Sequence, residues 1–231
     1  MTPGSDKLDR ILDGAGAPDP VPPALQERIA AAILPGLRPV RPIPSAGAMV
    51  LGLELLVGAV GIAAAFLFGM YGIAKMSGAQ SAAILAAIAF FGAVAANQTV
   101  ASMIPGTRQI VRPGALIFQI CLVLIGIFAL SFTGYATDDF VRQGVPCLRA
   151  GLLVAVPAGA GAWLILHRGY AVDPVSAGLA AGTLAGMAGV LMLELHCPIL
   201  RAVHVMVWHV AVVPLSALAG ALLAKCFTSR G

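Results

Sequence analysis

The chain has 231 residues, 59% of them hydrophobic and 10% charged, with a formal charge of +4 and a mean hydropathy of +0.95. That balance excludes a water-soluble enzyme or binding domain, and no basic stripe with interleaved aromatics offers a surface for direct nucleic-acid contact. A transmembrane β-barrel is excluded as well, because the apolar runs are continuous and do not alternate.

Residues 1–45 precede any apolar run and carry Asp6, Lys7, Asp9, Arg10 and Asp13, so they lack the basic-then-apolar start of a signal peptide. Leu8, Ile11 and Leu12 fall at i, i+3 and i+4. Beyond Pro18, Pro20, Pro22 and Pro23, a second piece places Leu25, Ile29 and Ile33 on one stripe. Each piece is too short to be a stable helix alone. Two readings stand side by side: a frayed surface arm, or a partner-binding segment that folds on contact. Pro35, Pro39, Pro42 and Pro44, with Arg38 and Arg41 between them, predict an extended basic strap lying against anionic headgroups.

Six apolar runs then approach the roughly 20 residues needed to cross a bilayer: 46–74, 80–104, 114–135, 147–167, 174–196 and 203–225. The expected fold is all-α, a polytopic six-transmembrane-helix bundle with short loops. It divides into a cytoplasmic arm and strap (1–45), the helical domain (46–225) and a tail (226–231). Cytoplasmic loops are enriched in Lys and Arg. With the N-terminus inside, Lys7, Arg10, Arg28, Arg38, Arg41, Arg108, Arg112, Arg168, Lys225 and Arg230 fall inside. Only Lys75, Arg142, Arg149 and Arg201 fall outside, so both termini are expected in the cytoplasm.

In the fifth run Gly178, Gly182 and Gly186 recur every four residues, and Ser216 and Gly220 do so in the sixth. Small residues at this interval let helix backbones approach closely in lipid. Glu54 lies about two turns into the first run, at a depth that Asn97, Gln98 and Gln119 also reach. A carboxyl there is expected to be protonated, bonded to those amides, or functional.

Four cysteines remain to be placed. Cys121, mid-span, and Cys226, near the inner end of the last run, read as packing residues. Cys147 and Cys197 are equidistant from position 172 in the 168–173 turn, so a helical hairpin brings both to one level on the outer side, with helix four beginning at Cys147. The same symmetry across the next turn pairs His196 with His204. One small volume is thus expected to hold Cys147 and Cys197 with His196 and His204 as auxiliary ligands, and an Arg149–Glu194 ion pair a turn deeper. A disulfide there needs Cα atoms about 4.4 to 6.8 Å apart, and thiolates with imidazoles also suit Cu(I), Zn or Cd. A redox- or metal-responsive pair, a static disulfide and unpaired packing cysteines all remain open. No obligatory cofactor is expected, only a transient metal ion.

The stretches Glu194-Leu-His-Cys-Pro198, Val207-Trp208-His209 and Pro214-Leu-Ser-Ala-Leu-Ala-Gly220 resemble the NrsF family of six-span negative regulators of extracytoplasmic-function sigma factors. The resemblance is clearest over 146–225. It implies a non-enzymatic anti-sigma factor of a bacterial inner membrane, with an extracytoplasmic-function sigma factor and the lipid bilayer as partners. It further implies that Cys147 and Cys197 are the outward-facing cysteines linked to release under metal or oxidant stress. Leu8, Ile11, Leu25 and Ile29 are the arm positions expected to touch the sigma factor. Two other classes compete: a small transporter dependent on Glu54, and a membrane thiol-redox protein, which would normally carry a Cys-x-x-Cys pair that is absent.

Overall fold

The computed structural model describes residues 22–36, 44–104, 107, 109, 111–136, 138–166 and 173–228. They are helical, with no strand among them, and they fall into two compact units that divide between Pro42 and Ile43. In the first unit α1 (Pro23–Ile33) starts on Pro22 and Pro23, where a missing N–H costs nothing. Its stripe of Leu25, Ile29 and Ile33 is exposed. Leu8 and Ile11, and the strap residues Arg38 and Arg41, lie outside the described residues.

The second unit holds α2 (Ala46–Phe68), α3 (Gly78–Met103), α4 (Pro113–Ser131), α5 (Phe140–Leu166) and α6 (Pro174–His196). The last span, α7, is composite: a single turn (Ala202–His204), a π-helical stretch (Val205–His209) and a regular segment (Val212–Thr228). Six helices among the described residues are long and apolar enough to cross a bilayer, as expected of a membrane protein. Their starts are set by local chemistry. Ser45 accepts from the Ala48 amide, Ser77 and Gln80 form a reciprocal capping box, Pro113 occupies a first-turn position, and Asp173 accepts from the amides of Val175 and Ser176. The Ser176 hydroxyl, with these amides, holds the Asp173 carboxyl below its usual range.

The third span stops at Ser131, not at 135, and two boundaries differ more from the sequence expectation. The first span stops at Phe68, not at 74, because Gly69 takes φ +97°, a left-handed conformation that ends the helix. The fourth begins at Phe140, seven residues before Cys147, and carries Pro146 inside it. Pro146 is the seventh helical residue, past the first turn, so its ring leaves the Arg142 carbonyl without the usual intrahelical amide donor. Cys147 is therefore two turns into α5, while Cys197 is the C-cap residue of α6.

Helix α6 is the axis of the bundle. Of its most apolar window 72% is buried inside the protein, against 22% for α2 and α4, and it packs on α2, α3, α5 and α7. Its glycines explain how. A Cβ at Gly178 would strike the Gly220 backbone, and one at Gly182 would strike the Ser216 carbonyl and Ala217 Cα. At Gly186 the neighbours are Val213 and Ser216. The four-residue repeat is thus a backbone-on-backbone seam between α6 and α7.

Candidate functional site

At the end of the hairpin opposite the seam, Cys147, Cys197, His204 and His209 each present a ligand-type atom, and all four atoms lie within 4.8 Å of one another. The sulfurs of Cys147 and Cys197 are 3.6 Å apart, and Cys197 Sγ is also 3.6 Å from His204 Nε2. All but the half-buried Cys147 are buried. Three elements supply these groups. Cys147 projects from α5, and Cys197 is held where its amide donates to the Leu193 carbonyl at 2.7 Å, ending α6. The two histidines come from the irregular start of α7. The hydrogen bond with Cys147, together with burial, pushes the Cys197 thiol above its ordinary range.

The π-helical stretch is what brings the two histidines together. In a regular α-helix residues five apart point roughly 140° away from each other, whereas the wider i→i+5 turn returns the fifth residue toward the same side. The rings of His204 and His209 accordingly meet edge to face, centroids 5.4 Å apart. His209 Nδ1 is 2.7 Å from Glu194 Oε1, and both side chains are buried, at 0% and 1% exposure. His209 Nε2 and Glu194 Oε2 are both buried without a hydrogen-bond partner. Such atoms are costly to leave unmatched, and their presence marks a site organised for something beyond packing.

Of the residues singled out from sequence, Cys147, Cys197 and His204 converge, and two others do not. His196 is one residue from Cys197 but turned about 100° around α6. Its Nδ1 donates to the Gly69 carbonyl at 2.8 Å, and its ring sits between Phe68 and Tyr71, so it is not an auxiliary ligand of the cluster. The expected Arg149–Glu194 ion pair is not formed either. Arg149 lies two residues after Cys147, hence on the opposite face of α5, where it is exposed. Glu194 instead pairs with His209. His209 is the site residue that sequence reasoning missed. Its neighbour Trp208 packs its indole on Gly144 and on Phe140 of α5, at a centroid separation of 5.2 Å from Phe140.

The α2–α3 connection closes over this end. The Gly72 amide donates to the Leu195 carbonyl at 3.0 Å, Lys75 Nζ donates to the Pro198 carbonyl at 3.2 Å, and a Cβ at Gly72 would meet the backbone of Glu194 and Cys197. Elsewhere, Cys121 is half-buried and Cys226 exposed. Glu54 does not bond the amides expected of it: Asn97 and Gln119 are exposed, Gln98 donates to the Val111 carbonyl, and Glu54 Oε1 lies against Gly92 without a partner.

Chemically, the thiols can act together. A disulfide requires sulfurs about 2.05 Å apart, so closing one means an approach of about 1.5 Å from the present 3.6 Å. The four side chains can equally surround a soft or borderline metal ion.

The model of the NrsF family, described as negative regulator of sigma F, matches residues 35–228, which is most of the chain. No curated protein and no solved structure matches it.

Proposed function

The chain belongs to the NrsF family of negative regulators of sigma F, and from that premise we propose that it is an anti-sigma factor of a bacterial inner membrane, sensing metal or oxidant stress through Cys147 and Cys197. It holds an extracytoplasmic-function sigma factor inactive at its cytoplasmic side and releases it when the outward-facing pair reacts. The observation that carries the sensing role is the 3.6 Å approach of two unbonded sulfurs from different helices. A pair so placed responds to either signal by changing how α5 and α6 meet. The excess of Lys and Arg on one side supports cytoplasmic termini.

In this reading the bundle has two states, and the signal shifts them only by its differential affinity. A coupling of about 1 to 3 kcal/mol changes sigma binding roughly 5- to 150-fold. Residues 46–225 carry the sensor, and the arm of residues 1–45 contributes to capture. Its contact residues are Leu8 and Ile11 with Leu25 and Ile29, the last two on the exposed stripe of α1. The test is co-purification of the membrane protein with its sigma factor before and after cadmium or peroxide. Cys147→Ala/Cys197→Ala retains the sigma factor under both treatments, while wild type lets it go. Release unchanged in the double variant refutes the sensing role. Deletion of residues 1–34 lowers capture, and full capture without them would move the contact to the loops.

A further inference from the structure

We propose that Cys147, Cys197, His204 and His209 form one tetrahedral site for a divalent d10 cation, zinc(II) or cadmium(II), with Glu194 as the carboxylate that orients His209. This rests on the sensing role above and names its ligand.

The first argument is metric. With metal–sulfur bonds of about 2.3 Å and metal–nitrogen bonds of about 2.0 to 2.1 Å, a tetrahedral site has sulfur–sulfur edges near 3.8 Å and sulfur–nitrogen edges near 3.6 Å. The sulfurs stand 3.6 Å apart, and Cys197 Sγ stands 3.6 Å from His204 Nε2. Both distances match edges of such a polyhedron, and the remaining ligand atoms lie within 4.8 Å of one another.

The second argument is the buried nitrogen. Ligating histidines almost always give their other ring N–H to a carboxylate or carbonyl, which fixes the tautomer and aims the free nitrogen. His209 has that arrangement. Its Nδ1 is held by Glu194 at 2.7 Å, and its Nε2, on a fully buried ring, has no partner.

The third argument is charge. Two thiolates neutralise a divalent ion, and Glu194 leaves the set at −1, whereas a monovalent ion leaves −2. Uncompensated charge is expensive at so buried a position, which favours the divalent ion. Loading is ligand substitution: the ion sheds its waters, and Cys147 and Cys197 each release one thiol proton to solvent. Four bonds form, to the two Sγ atoms and the two Nε2 atoms, and nothing is oxidised or reduced. Half-buried Cys147 is the entry point.

The experiment uses the reduced full-length protein in lipid nanodiscs, titrated with cobalt(II) and then displaced by cadmium(II). One cobalt per chain is expected, with thiolate-to-metal charge transfer, the visible bands of a tetrahedral ion, and two protons released per ion. Glu194→Gln keeps stoichiometry and bands but weakens binding about 10- to 100-fold. His209→Ala loses the tetrahedral bands, and His196→Ala titrates like wild type. Should His209→Ala misfold, the isosteric Glu194→Gln still decides. Pale octahedral cobalt, or Glu194→Gln and His209→Ala binding like wild type, overturns the proposal. No cobalt uptake, with peroxide still joining the cysteines and releasing the sigma factor, defeats the metal site but leaves the sensing role standing. Tetrahedral cobalt with cadmium failing to release the sigma factor does the reverse.

Discussion

Between residues 178 and 220 helices α6 and α7 are held backbone against backbone, with glycines where any side chain would collide. Between residues 194 and 209 the same two helices are joined by side chains, and several of their buried polar atoms have no partner. The seam has no slack: close-packed contact without side chains cannot be repacked by a rotamer change. The cysteine end has both slack and chemistry. In the two-state reading proposed above, a change at the cysteines cannot be absorbed by sliding at the seam. It must instead tilt the hairpin about the seam or move α5, the helix that carries Cys147.

The strongest way to break this comparison is at the cysteine end. Glu194→Ala leaves the buried His209 ring without its partner, and losing one member of a buried pair costs about 3 to 5 kcal/mol. Chemical unfolding of the reduced protein in detergent should show that loss, with Glu194→Gln recovering most of it. Wild-type stability in the alanine variant would mean that this end is no more delicate than ordinary packing. Next in size is Gly182→Val at the seam, where the new Cβ meets the Ser216 carbonyl and Ala217 Cα. Overpacking of about 1 to 3 kcal/mol is expected there. It should appear as a lower unfolding midpoint, while the spectrum of bound cobalt in the folded fraction is unaltered. A changed spectrum would show that the two regions are one unit.

Much of this was legible in the sequence, and the misses share a cause. The spans could be read because lipid demands continuous apolar runs, and the shared level of Cys147 and Cys197 because hairpin symmetry fixes depth. Depth is not direction, however. His196 and Arg149 lie at the right level on the wrong faces, turned away by the 100° step of the helix. His209 was missed because its placement depends on the π-helical stretch Val205–His209, which rotates it beside His204. Five-residue spacing of two histidines is no signal in an α-helix, and nothing in the run Val205-Met-Val-Trp-His209 announces the wider turn. The end of α2 depended on the positive φ of Gly69, a conformation that glycine permits and does not require.

Smaller effects sharpen the contrast. Cys147→Ala removes one half-buried sulfur and adds no polar group, so stability should change by less than about 1 kcal/mol while the response to cadmium is lost. A large stability loss would make the cysteine structural, not responsive. The smallest effect is expected far from both regions, at Gly126 in the middle of α4, where an added Cβ meets nothing within 4 Å. Alanine there trims the freedom of the unfolded chain and suits a helix interior, which should stabilise the protein by about 0.5 to 1 kcal/mol. The same change at Gly182 runs into backbone atoms, so one substitution made at two glycines should move the unfolding midpoint in opposite directions. If both moved together, helix propensity alone would govern these glycines, and the seam would lose its claim to be the fixed point on which the cysteine end turns.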